Sequence, residues 1–104
     1  MQKYVAVYLG GEHPSSPEEG EKLFAKYKQW LESINDSVVS PANPLRNTHS
    51  LSSAGVEAKG VSGMSGYTIV EAPSIEAAID LLKSCPFLEI GGTIEISELM
   101  SMPF

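Results

Sequence analysis

Apolar positions along the chain fall into two patterns, short dense runs suited to strands and longer spaced stripes suited to helices. Tyr4 to Leu9 (YVAVYL) is a run of β-branched and aromatic residues that stops at Gly10-Gly11, and it predicts a central strand buried on both faces. Ser16-Pro17-Glu18-Glu19 then combines a Ser cap, a Pro at the first helical position and a Glu placed to close a capping box, so a helix begins at Pro17. Its stripe is Leu23, Tyr27, Trp30, Leu31 and Ile34, which carries the helix to about Ser33 and makes Trp30 a core anchor. Asn35-Asp36 breaks the pattern. Ser37 to Ser40, with the pair Val38-Val39, predicts a short strand that Pro41 and Pro44 keep from continuing.

Residues 41–65 are rich in Ser, Gly, Asn and Pro, yet a structureless loop of that length is out of place in a compact domain. An irregular hairpin is expected there, with pieces at Arg46 to Leu51 and Val56 to Ala58 around Gly55. Gly66 to Ala72 (GYTIVEA) reads as a strand closed by Pro73, and Ser74 caps a helix whose stripe, Ile75, Ala78, Ile79 and Leu82, lasts until Pro86. After Gly91-Gly92, Thr93 to Ser97 alternates Ile with Glu and Ser as a last strand. The order predicts one α+β domain over residues 1–104, a ferredoxin-like βαββαβ fold with a hairpin excursion. Helices would cover one sheet face only. Two chains pairing their sheets into a dimeric α+β barrel would cover the other.

Strand parity sorts the side chains between those faces. The all-aliphatic set Val5, Val7 and Leu9 is expected to meet the helices, which leaves Tyr4 and Tyr8 on the opposite face with Tyr67, Glu71 and Glu95. Hydroxyl-bearing rings mixed with carboxylates suit either a ligand cavity or a wet subunit interface, and the residues alone leave both open. Enclosed there, Glu71 or Glu95 would have to find a partner or take up a proton.

Composition narrows the partners. Thirteen acidic against seven basic residues give a net charge of -6, which argues against nucleic acid and against anionic membrane surfaces. No stretch approaches the length of an apolar span, no export signal is visible, and the one cysteine rules out an intrachain disulfide, so a reducing cytoplasm is expected. Imidazole chemistry would have to come from His13, after the first strand, or His49, in the hairpin region. Cys85, at a helix end, reads as inert packing, and Arg46, the sole arginine, as a solvated loop charge or a carboxylate anchor. No metal-ligand spacing, phosphate loop or dinucleotide fingerprint points to a metal or cofactor.

The segment from Gly66 to Leu99, GYTIVEAPSIEAAIDLLKSCPFLEIGGTIEISEL, resembles the YCII-related family, in which a Gly-Tyr strand ending in Glu-Ala precedes an Ala-rich helix, a Cys-Pro corner and a Gly-Gly-x-Ile-Glu strand. The resemblance implies a ferredoxin-like barrel built by two chains. The family includes a dehydrochlorinase acting on an aromatic ring, and for some members a His on the first helix and an Asp before the Pro that follows the second helix have been proposed as a catalytic pair. In this chain Pro17 to Ile34 holds no His, Cys85 stands before Pro86, and Phe87 stands where other members carry a His. Catalytic residues are therefore left unassigned, and two roles are carried forward. One is a homodimer binding a small aromatic or enol-like molecule, with or without catalysis, in a cavity on the sheet face beside the hairpin, through Tyr8, His13, His49, Tyr67, Glu71 and Glu95. The other is an accessory or regulatory dimer with no ligand and no cofactor.

Overall fold

The structure is a computed structural model that describes residues 1–102. Six strands and two helices follow in the order β1 (Gln2–Gly10), α1 (Pro17–Ser33), β2 (Val38–Pro44), β3 (Ser50–Ser52), β4 (Gly55–Glu57), β5 (Met64–Ala72), α2 (Ile75–Leu82) and β6 (Gly92–Glu98), with short 3₁₀ turns at Asn35–Ser37 and Pro86–Ile90. The main sheet is antiparallel, in the order β2-β5-β1-β6, and places the two long strands at its centre. This is the ferredoxin-like α+β arrangement. β3 and β4 form a separate two-stranded arm between β2 and β5.

Local chemistry sets the helix starts. The Ser16 hydroxyl accepts from the Glu19 backbone N–H at 3.2 Å, and the Glu19 carboxylate in turn accepts from Ser15, from its N–H at 3.1 Å and its hydroxyl at 2.6 Å. Those bonds hold the Glu19 carboxyl below its ordinary value. Ser74 caps α2 in the same way, through the Ala77 N–H at 3.2 Å. Both helices lie on one face of the sheet. Trp30 of α1 and Leu82 of α2 pack with Ala6, Tyr8, Cys85 and Phe87, while Ala78 of α2 packs with Tyr4, Val70 and Ala72.

The parity of β1 is the reverse of the expectation. Tyr4, Ala6 and Tyr8 face the helices and are buried, whereas Val5, Val7 and Leu9 are half-buried on the open face. Pairing shows it directly, because Tyr4 lies opposite Val70, Ala6 opposite Thr68 and Ile96, and Tyr8 opposite Gly66 and Ile94. The physical reason is size and satisfaction. Small Ala6 between two large rings makes a notched surface into which Trp30 and Leu82 fit, and each phenol finds an acceptor, Thr68 for Tyr8 and Glu98, at 3.4 Å, for Tyr4. Tyr67, Glu71 and Glu95 do lie on the open face, so the expected grouping of Tyr4 and Tyr8 with them is broken.

β2 also departs from expectation, since it runs through Pro41 as far as Pro44. It can do so because it is an edge strand whose register to β5 shifts twice, between Val38 and Ser40 and between Ser40 and Asn43. The expected hairpin is present but shorter and shifted, with Ser50 opposite Glu57, Leu51 opposite Val56 and Ser52 opposite Gly55. Gly55 takes φ +126°, open to glycine and rarely to other residues. The described residues measure 45 × 44 × 18 Å, the least dimension being the thickness of one sheet and one helix layer.

Candidate functional site

α1 buries only Trp30 fully, and the gap left beneath it is the site. A chamber of about 460 Å³ opens between α1, β2 and β5, lined by Tyr8, Tyr27, Trp30 and Phe87 on its inner walls, Phe24 and Lys28 on α1, and Pro41 to Pro44 on β2. Its size is that of a small-ligand cavity, and its rings offer flat apolar walls. Three polar groups are fixed there. The Thr68 hydroxyl donates to the Pro41 carbonyl at 2.6 Å, so its one proton is committed and it accepts from the Tyr8 phenol at 2.5 Å. Asn43 donates from its amide nitrogen to Ser40 Oγ at 2.9 Å and to the Tyr67 carbonyl at 3.2 Å. Trp30 is held edge-on by its indole N–H, which donates to the Leu81 carbonyl at 3.1 Å.

Burial sets the protonation of the inner wall. The Tyr8 phenol is pushed above its ordinary value by burial. Tyr27 is raised by burial first and then by Cys85 and Tyr8 beside it, and the Cys85 thiol is raised by burial against weaker hydrogen bonds from Phe87 and Tyr8. All three stay neutral at physiological pH. Cys85, 1 % exposed, is a packed thiol and not a poised nucleophile.

Phe87 is seated by two glycines. Its ring lies 5.1 Å from that of Tyr8, and a β-carbon at Gly92 or Gly11 would stand 2.2 Å or 2.8 Å from its atoms. Of the glycine pair at the start of β6, Gly92 therefore serves this close approach of ring to backbone, while Gly91, with nothing within 4 Å, makes the left-handed turn at φ +77°.

The six residues expected to bind ligand do not converge. Tyr8 lines the chamber with its ring, and Tyr67, whose side chain lies on the open face, borders it along β5, where its carbonyl accepts from Asn43. His13 is exposed and borders a smaller hollow of about 190 Å³ that shares Tyr27, Ser65 and Phe87 with it. His49 is exposed before the arm, its ring nitrogen Nδ1 donating to the Asn47 carbonyl at 2.8 Å. Glu71, half-buried, and Glu95, exposed, lie on the open face, away from the helix-side chamber. The hollow of about 540 Å³ beside the arm is lined by the arm itself and by Val61. Sequence reasoning passed over Phe24, Lys28, Asn43, Thr68 and Phe87. A signal existed for the helix, because Phe24, Tyr27, Lys28 and Leu31 form a second stripe at helical spacing beside the core stripe.

Among the described residues, no three of His, Cys, Asp and Glu come together as a metal site. Among the same described residues, no helix is long and apolar enough to cross a membrane. Neither a scan of protein-family models nor a search of curated proteins returned a match. Solved structures do match over nearly the whole chain. One is the 5-chloro-2-hydroxyhydroquinone dehydrochlorinase TftG from Burkholderia phenoliruptrix, in complex with 2,5-dihydroxybenzoquinone, at 16% identity and a TM-score of 0.57, covering 94% of this chain and 93% of that one. Another is the Arabidopsis thaliana protein At3g17210, at 13% identity and a TM-score of 0.51, covering 100% of this chain and 98% of that one. What these likenesses establish is the fold, a ferredoxin-like α+β chain.

Proposed function

We propose that this chain is a cytoplasmic, one-domain protein of the YCII-related type that forms a homodimer and binds a small aromatic or enol-like molecule in the chamber under α1. The observation that carries the reading is the chamber itself, about 460 Å³ walled by aromatic rings, with the Tyr8–Thr68–Pro41 hydrogen-bond chain fixed in its wall. TftG, of the same fold, is solved with a flat six-membered ring compound bound. The role favoured is binding and not imidazole–carboxylate chemistry, because no His, Asp or Glu among the described residues lines the chamber. The dimer rests on the open sheet face, where Val5, Val7, Leu9 and Ile69 are half-buried on the side away from the helices.

Trp30, the only tryptophan, lines the chamber and reports on its occupancy. A set of monocyclic and bicyclic aromatic and enolic compounds is expected to contain members that quench its fluorescence saturably and raise the melting temperature, by about 2.7 kcal/mol of stability at a hundredfold the dissociation constant. Silence across the set leaves the accessory dimer as the better reading. Light scattering at micromolar concentration is expected to give twice the mass of one chain, and the mass of a single chain removes the dimer.

A further inference from the structure

Resting on the chamber reading above, we infer that the ligand taken by this site is an anion, an aromatic or enolic acid whose negative group sits at Lys28. The observation is one of charge. The chain carries -6 overall, yet among the described residues the lining of the chamber includes one ionised side chain, the Lys28 ammonium, and no carboxylate. Lys28 stands one helical turn from Phe24 on α1, and Phe24, 72% exposed, offers an open apolar ring at the rim of the cavity. Aromatic face and cation thus flank the same cavity.

Pairing elsewhere does not absorb the charge. Among the described residues the ion pairs are Lys26 with Glu89 at 3.7 Å and Lys83 with Asp80 at 3.1 Å, and neither involves Lys28. Glu32, the next charge along the helix, borders a neighbouring hollow of about 300 Å³ that Lys28 also lines, so it is the internal competitor for the ammonium. At physiological salt the screening length is about 8 Å, so a ligand in the chamber feels Lys28 far more than the distant surplus of carboxylates. The inner phenols, Tyr8 and Tyr27, are held neutral by burial and so set no negative charge against an anion.

Calorimetric titration with matched pairs tests this: benzoate, 4-hydroxybenzoate and 2-naphthoate, each against its primary amide, with the wild type, Lys28→Met and Lys26→Met. The acids are expected to bind the wild type roughly fivefold more tightly than the amides, an attraction of the size a partly solvated ion contact gives. Lys28→Met should erase that preference, bringing acid and amide to equal affinity, and Lys26→Met, the same charge change on the same helix, should preserve it. Glu32→Gln should widen it. Equal binding of acid and amide to the wild type, or a preference that survives Lys28→Met, overturns the anion assignment and leaves the chamber reading standing. Failure of every acid and every amide to bind overturns both.

Discussion

The two faces of the main sheet are made by alternate residues of the same strands, and they solve different packing problems. On the helix side Tyr4, Ala6 and Tyr8 step large, small, large, and Thr68, Val70 and Ala72 beside them are at most 2% exposed. On the open side Val5, Val7, Leu9 and Ile69 are nearly uniform in size and half-buried. A notched face accepts the ridges of helices, whereas an even aliphatic face suits another flat layer at sheet-to-sheet distance. Hydrophobicity is similar on both sides of β1. What separates them is relief.

That contrast can be broken in four places, starting with the largest expected effect. Leu82→Ala removes a fully buried side chain from the helix-side core and should cost about 2–5 kcal/mol in urea unfolding, with Val5→Ala on the open face costing much less in a dissociated chain. Equal losses would mean that the faces do not differ as drawn. Val7→Lys places a cation opposite Glu95 across β1 and β6, which a lone chain tolerates and a second apolar sheet does not. A folded monomer by circular dichroism and light scattering is the expected result, and an undisturbed dimer would move the interface elsewhere.

Smaller effects sharpen the helix side. Tyr8→Phe deletes the phenol but leaves Thr68 bonded to the Pro41 carbonyl, so the loss should be about 1 kcal/mol and not the larger penalty of an orphaned group. The pH dependence is the gentlest probe in ordinary buffers. Cys85, Tyr8 and Tyr27 hold their protons more tightly folded than unfolded, so their contribution is whole below the unfolded values of 9.0 and 10.0 and is lost as pH rises through the higher folded values. Melting temperature should therefore begin to fall above about pH 9, and tyrosinate absorbance from the buried rings should grow only with unfolding. A flat melting curve to pH 11 would show that these groups are not enclosed.

The elements were legible because their signals were local. Pro17 and Ser16 set α1, Ser74 set α2, and the order of runs led to the ferredoxin-like sheet without reference to any contact. The orientation of β1 was not legible, since an apolar residue at every position fits either parity and only the three-dimensional fit of Trp30 and Leu82 against Ala6 decides it. With that orientation went the site. Tyr8 was picked out, but on the wrong side of the sheet, and the partners that give it meaning, Thr68 and the Pro41 carbonyl, are 60 and 33 residues away from it in the chain. Phe24 and Lys28 were readable in principle from helix spacing alone.

The two prolines of β2 bear on how copies of this chain can grow into larger objects. β2 is one border of the sheet, and at Pro41 and Pro44 it has no N–H to offer an incoming strand, while its two register shifts bend whatever row of donors is left. Extension of the sheet by addition at that border is blocked. Any pairing of two copies through the open face would therefore not be extended by strand addition at β2.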